Sequence, residues 1–329
     1  MVKYVVHAEN IRTGGGLVLL KKLSTVLPTN ETLFIINSEV QNDINVKHII
    51  IVGNSFLERF LARFSVEYPE ASHLHFGNLP PIFSKSKNVS VYIQNCLLVD
   101  KWRVLRRENW RLKLRIILER IFICLFMRRK YRIIIQTSFM KKIITKRFPK
   151  NPTDLLKFSD YNFNGEKKIG RETSANVIYI GTKEAYKNFG LVYETLLNIC
   201  KEHSINIKLK STFRKETDGS FSSHYNTSLK VEWLELKSRE GILDEMRSSK
   251  LLIFASKHES LGMPLLEAAY LDLDIIAADS DFVLENCRPK LLFNPDDPNS
   301  LKRVLLIYFQ LNNYPNLMKD NEILKKIDS

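Results

Sequence analysis

The chain has 329 residues, 44% hydrophobic and 26% charged, with 12 glycines and 11 prolines. These values exclude a stapled mini-domain and an extended disordered chain, and they point to two domains with separate cores. The formal charge of +14 is concentrated: residues 101–150 hold 17 Lys or Arg against Glu108 and Glu119, while the rest of the chain carries 33 basic and 34 acidic residues.

The predicted elements alternate along the chain. Residues 2–8 read as a strand rather than a secretion signal, because His7 and Glu9 break the apolar stretch. A helix over 17–27 follows Gly14-Gly15-Gly16. Strands over 32–37 and 46–52, a helix over 55–67 and a strand over 89–95 come next. The basic segment over about 101–130 reads as helical, followed by a strand over 131–137 and a helix over 140–147. Residues 158–174 are polar and without apolar periodicity, which predicts an interdomain linker. Beyond it come a strand over 176–181, a helix over 188–202, strands over 205–211 and 229–234, and a helix over 239–248. A strand over 251–256, a helix over 264–271, a strand over 275–278 and a helix over 299–311 complete the pattern. Such alternation implies parallel sheets. The expected fold class is therefore α/β, with two doubly wound, Rossmann-like domains over 1–157 and 175–329 facing each other across a cleft. The last helix is expected to return to the first domain.

Four cysteines, Cys96, Cys124, Cys200 and Cys287, form no C-x-x-C pair, which argues against a disulfide framework and fits a reducing cytoplasm. The longest uninterrupted apolar run, Ile121 to Met127, spans 7 residues, against about 20 for a membrane-crossing helix. Within the basic segment, Trp110, Leu114, Ile117, Leu118, Ile121, Phe122 and Leu125 recur at helical spacing. Three readings fit: an apolar face in the core with solvated charge, a helix on an anionic membrane surface, or a nucleic-acid stripe. No zinc-finger, RNP or helix-turn-helix signature supports the last. The membrane reading would engage Arg106, Arg107, Arg128, Arg129 and Lys130.

In parallel sheets ligands bind beyond the carboxyl ends of strands. The most specific stretch, FASKHESLGMPLLEAAYLDLDIIAAD over 254–279, places Ser256, Glu259 and Gly262 in such a loop, with Pro264 suited to a first helical turn. Glu259 and Glu267 form an E-x7-E spacing, with one carboxylate on the loop and one expected in the first turn of the helix. The amides of Ser260, Leu261, Gly262 and Met263 can approach an anion at the helix N-terminus, and a carboxylate can accept hydrogen bonds from a pair of ribose hydroxyls. Asp272-Leu273-Asp274 matches a D-x-D metal pattern, but it lies at the amino end of a strand. The histidines show no metal-ligand spacing, so no metal or other cofactor is expected. The sequons at Asn30, Asn88 and Asn226 carry no weight in a cytoplasm.

The string E-S-L-G-M-P-L-L-E-A resembles the E-x7-E region of GT-B glycosyltransferases of family 4, retaining enzymes that move a sugar from a nucleotide donor. The resemblance implies that Glu259 lies near the reacting sugar and that Glu267 binds the ribose. VIYIGTKEAYKNFGLVYETL over 177–196 is similar to the family's phosphate-binding pattern. There Lys187 matches the lysine, Gly181 the glycine, and Thr182 stands where arginine is usual. Gly14, Gly15 and Gly16 match a glycine-rich loop near the diphosphate or acceptor, with His7 and Arg12 beside it. Gln94 and Asn95 occupy the place of a His-Asn or His-Asp pair on the acceptor side. Asp297-Pro298 reads as a helix cap. The expected activity is metal-independent, retaining transfer of a hexose from a nucleotide-diphosphate sugar to a lipid-diphosphate-linked saccharide, as in bacterial O-antigen or capsule synthesis. Glu259 and Lys187 would carry the chemistry, and the enzyme would be peripheral on the inner face of the cell membrane. A nucleotide-sugar epimerase on the same fold and a basic nucleic-acid-binding protein are the alternatives.

Overall fold

The computed structural model describes residues 1–65, 67–100, 105–106, 108–156, 175–213, 228–234 and 238–311. The chain divides into two compact units, residues 1–102 with 109–159, and residues 103–108 with 160–329. Arg107 and the expected linker fall outside the described residues.

The first unit runs β1 (Tyr4–Ala8), α1 (Gly14–Val26), β2 (Thr32–Asn37), β3 (His48–Val52), α2 (Phe56–Leu61), β4 (Phe64–Ser65), β5 (Ser72–His75), β6 (Phe83–Ser84), β7 (Val89–Tyr92), α3 (Trp110–Phe126), β8 (Arg132–Ile135), α4 (Ser138–Arg147) and β9 (Thr153–Leu155). Seven strands form one sheet in the order β3-β2-β1-β5-β7-β8-β9, and β4 and β6 form a separate pair. Every pairing is parallel. The central strands are buried on both faces, which is why they read as near-continuous apolar runs. Val5, Val6, Phe34, Ile36, Val91 and Ile133 lie in this core.

β4, β5, β6 and β9 lie outside the predicted pattern, and three of the predicted elements differ from the expectation. First, α1 starts at Gly14, so the glycine triplet forms the first helical turn and not a loop before it. Gly14 has φ +67, a left-handed conformation that glycine adopts without a Cβ penalty. Second, α2 is only six residues long, and a capping box between Ser55 and Glu58 sets its start. Third, the α-helix among the described residues of the basic segment is α3, with Asn109 accepting from the Leu112 amide.

The faces of α3 decide against one of the three readings of the basic segment. Ile116, Arg120 and Ile123 are its buried residues, and the Arg120 guanidinium donates to the Leu97 carbonyl. Trp110, Leu114, Leu118, Ile121 and Leu125 form an outward stripe, each 48–72% exposed. The apolar periodicity therefore marks a surface, and the reading that buries this stripe in the core is wrong. No helix among the described residues is long and apolar enough to cross a membrane.

The second unit runs β10 (Ala175–Tyr179), α5 (Phe189–His203), β11 (Ile207–Ser211), β12 (Leu229–Trp233), α6 (Arg239–Arg247), β13 (Leu251–Phe254), α7 (Met263–Tyr270), β14 (Asp274–Ala278), α8 (Asp281–Asn286), β15 (Leu291–Phe293) and α9 (Pro298–Tyr308). Its six-stranded sheet has the order β12-β11-β10-β13-β14-β15 and is parallel throughout. The core joins Val177, Leu209, Leu251, Ile253 and Ile276 of the sheet to Val192, Leu196, Leu301 and Leu305 of the helices. Phe189 stacks on Phe213 with ring centroids 4.4 Å apart. Asp297 caps α9 by accepting from the Asn299 amide at 3.0 Å, as the Asp-Pro pair predicts. Two doubly wound, Rossmann-like sheets are thus present, one in each unit.

Candidate active site at the carboxyl ends of β10 and β13

Strands β10 and β13 are neighbours, with Val177 opposite Leu251, so the loops that leave their carboxyl ends converge. After β10 the chain makes a tight turn. The Gly181 amide donates to Thr212 Oγ1 at 2.9 Å, and that hydroxyl donates back to the Gly181 carbonyl at 3.1 Å. A Cβ on Gly181 would lie 2.5 Å from the Tyr179 hydroxyl, closer than nonbonded atoms tolerate. Tyr179 is buried, and its hydroxyl donates to the Lys187 carbonyl at 3.0 Å. Burial, reinforced by Glu259 and Glu184, raises its pKa and keeps it a neutral donor. The Glu108 carboxylate accepts from the Tyr186 amide at 2.8 Å, and Asn188 closes the segment with φ +62 before α5 begins. These contacts fix the backbone that carries Lys187.

The Lys187 ammonium donates to Glu259 Oε1, and both side chains are less than one-fifth exposed. Ser256, at the end of β13, donates its hydroxyl to the same Glu259 oxygen at 2.9 Å. The Lys257 amide donates to the Tyr186 carbonyl at 2.9 Å, tying the two loops together. Gly262 is the N-cap of α7 with φ +72, where a Cβ would press on Leu265. Pro264 follows in the first turn. The Leu261 carbonyl accepts from Asn286 Nδ2 at 2.5 Å.

Glu267 lies in the second turn of α7, one turn later than expected; the first turn holds no acid. It is buried, and Arg239 at the start of α6 donates to it through Nε at 3.0 Å. Burial raises the carboxyl pKa, while Arg239 opposes the rise. Arg239 was not singled out by any motif; only the fold brings it to a residue 28 positions away. Thr182 is exposed and its hydroxyl donates to Glu184.

Asp274 accepts from the Tyr308 hydroxyl at 2.8 Å and from Lys290 at 3.2 Å, and Asp272 occupies the preceding turn with φ +55. The D-x-D pair thus serves the junction of α7, β14 and α9.

In the first unit the expected acceptor-side residues have the following partners. His7 is buried, at 3% exposed. Arg12 pairs with Glu39. Gln94 donates to the Phe76 carbonyl at 2.7 Å, and the Gln94 and Asn95 amides both donate to Asn78 Oδ1. Asn95 Oδ1 accepts from the Leu97 amide at 3.0 Å. A Cβ on Gly16 would sit 3.3 Å from Gln94 Oε1, so the glycine admits the glutamine side chain. Arg106, Arg128, Arg129 and Lys130 are exposed, and the Arg128 guanidinium covers the Phe83 ring at 5.6 Å.

Residues 162–323, just under half of the chain, match the family model Glycosyl transferases group 1. Among solved structures, HepE of Anabaena in complex with UDP and glucose superposes with a TM-score of 0.62 at 11% identity, covering 94% of this chain and 90% of that one. WaaG, a glycosyltransferase involved in lipopolysaccharide biosynthesis, gives 0.61 at 12% identity, covering 93% and 90%. TarM gives 0.52 at 13% identity, covering 89% of this chain but 50% of that one, so the chain spans half of TarM's length. No curated protein matches the chain in sequence. At these identities the structures establish the GT-B fold. Within that fold, residues 162–323 resemble the glycosyl transferases group 1 family.

Proposed function

We propose that the protein is a metal-independent, retaining glycosyltransferase of family 4 that moves a hexose from a nucleoside-diphosphate sugar to a lipid-diphosphate-linked saccharide. The observation that most supports this reading is the Lys187–Glu259 pair at the meeting of the β10 and β13 loops, with buried Glu267 on the helix that follows. In the transfer, the bond between the anomeric carbon and the phosphate oxygen breaks while the bond to the acceptor oxygen forms on the same face. Negative charge gathers on the departing diphosphate and positive charge on the sugar ring. A cation beside the first and a carboxylate beside the second stabilise both. The acceptor proton passes to the leaving phosphate, so no side-chain base is required. Glu267 accepts from the ribose hydroxyls, and the amides of Ser260 to Met263 approach the diphosphate.

HepE in complex with UDP and glucose favours a uridine donor, and WaaG's involvement in lipopolysaccharide biosynthesis favours a surface-polysaccharide acceptor. The acceptor's lipid would be met on an anionic membrane. The outward stripe of α3 offers apolar insertion, and the exposed Arg128, Arg129 and Lys130 that follow it in the chain offer charge. Lys141, Lys142 and Lys146 of α4 are exposed as well. This favours the membrane reading of the basic segment over the nucleic-acid reading.

Calorimetric titration with UDP, GDP, ADP and CMP and their hexose conjugates, with and without EDTA, tests the donor assignment. Saturable, EDTA-insensitive binding of one nucleoside diphosphate, lost in Glu267→Ala and Lys187→Ala, is expected. Binding that survives both substitutions, or that requires a divalent ion, overturns it.

A further inference from the structure

Three histidines meet inside the first unit. The parallel register sets His7 of β1 opposite His75 of β5. Side chains alternate along a strand, so His73 shares the face of His75. His7 Nε2 lies 3.1 Å from His73 Nδ1. The His7 and His75 rings stack with centroids 4.1 Å apart, and one nitrogen from each of the three lies within 4.8 Å of the others. Neither spacing nor composition forecast this meeting, because His7 is 66 residues from His73.

The protonation pattern suits metal binding. His73 Nε2 is 3.1 Å from the Tyr68 carbonyl oxygen, which can only accept, so the hydrogen resides on Nε2 and Nδ1 presents a lone pair to the cluster. Metal-bound histidines are held in this way, with the second ring nitrogen donating to a carbonyl. A cavity of about 200 Å³ reaches His7 and His73 past Val5, Leu33 and Ile35, with Glu67 also in its wall.

We propose that His7, His73 and His75 form a binding site for a zinc-class divalent ion. Zinc–nitrogen bonds of about 2.0–2.1 Å in a tetrahedron separate ligand nitrogens by about 3.3 Å, close to the 3.1 Å between His7 and His73. Binding requires the stacked His7 and His75 rings, with centroids 4.1 Å apart, to turn so that one nitrogen of each points at the ion. His7 binds through Nε2 as its Nδ1–H tautomer, so the ion replaces the His7–His73 hydrogen bond without net proton release. Water entering through the cavity supplies the fourth ligand. Three imidazoles suit zinc, copper or nickel better than magnesium or calcium. The donor-site residues belong to the other unit, so this site and the donor reading fail independently.

The test is titration of the chelator-stripped full chain with Co²⁺ as an optical probe, followed by Zn²⁺ competition and melting curves. One saturable site is expected, with the intense visible bands of low-coordinate Co²⁺, displaced by Zn²⁺ and accompanied by a raised Tm. The bands should vanish in His73→Gln and persist in His203→Gln, with circular dichroism checking the fold of each. Should His73→Gln not fold, nitrogen NMR of the wild-type histidines decides, since Zn²⁺ must move three buried imidazole resonances together. Absence of saturable binding, retention of the bands in folded His73→Gln, or shifts confined to other histidines overturns the proposal.

Discussion

Serine at both Leu118 and Leu125 should separate membrane binding from folding. These side chains are 57% and 72% exposed, so together they offer about 1.3 leucine side chains to a bilayer. At about 2 kcal/mol per fully buried leucine, their loss weakens vesicle binding by about 2.6 kcal/mol, or about 80-fold. The folded protein gives up little, because an exposed helical Leu→Ser change costs about 0.5 kcal/mol in propensity. Vesicle sedimentation with anionic lipid, run beside urea unfolding, measures both quantities. The expected result is a binding constant about two orders of magnitude weaker with at most about 1 kcal/mol lost from stability. Wild-type vesicle affinity, or a stability loss above about 3 kcal/mol, would refute the assignment, since the second outcome means that the stripe is buried against protein.

Other consequences can be measured on the same material. Cys124 is exposed on α3, whereas burial pushes the thiols of Cys200 up to about 11 and Cys287 up to about 12. A soluble disulfide reagent at pH 8 should therefore label Cys124 alone, and anionic vesicles should protect it; labelling unaffected by vesicles contradicts the membrane assignment. Gly181→Ala should destabilise the second unit by about 1–3 kcal/mol through overpacking against Tyr179, read as a lowered Tm, and an unchanged Tm would discount the close contact. Because Glu267 titrates above the ordinary carboxyl range, nucleoside-diphosphate affinity should fall as pH drops through that raised pKa, the protonated form being the poorer acceptor. Arg239→Gln removes the charge that opposes the rise, so the midpoint should move to higher pH; a midpoint that stays put would deny Arg239 this role.

The fold was legible wherever a buried parallel strand writes itself as an apolar run: NVIYI, LLIFA and TLFIIN all became strands. It was illegible where chemistry interrupts the run. β5 is Ser-His-Leu-His, and its histidines look polar because their partners are each other and His7. β9 and β15 are three residues long and lack room for a period. The amphipathic spacing of α3 identified a helix but not its orientation, since buried Arg120 finds a carbonyl and the leucines face outward. Among candidate site residues, Glu259, Glu267 and Lys187 were visible because they sit in one local string each. Arg239 was not, because its meaning depends on a contact between two separate helices. Gly16 was visible as flexibility, whereas its structural part is to leave space for Gln94.

The order of strands in the two sheets bears on how the chain is made. In the first sheet the earliest strand, β1, is central; β2 and β3 add successively to one side, then β5, β7, β8 and β9 to the other. The second sheet repeats the scheme, with β10 first, β11 and β12 to one side, and β13, β14 and β15 to the other. No strand must insert between two that are already paired. Each one emerging from the ribosome meets a finished edge, so both sheets can accrete outward from their centres in the order of synthesis. Parallel pairings are long-range and slow to form from a denatured chain. Vectorial growth limits that search to a single docking edge at a time.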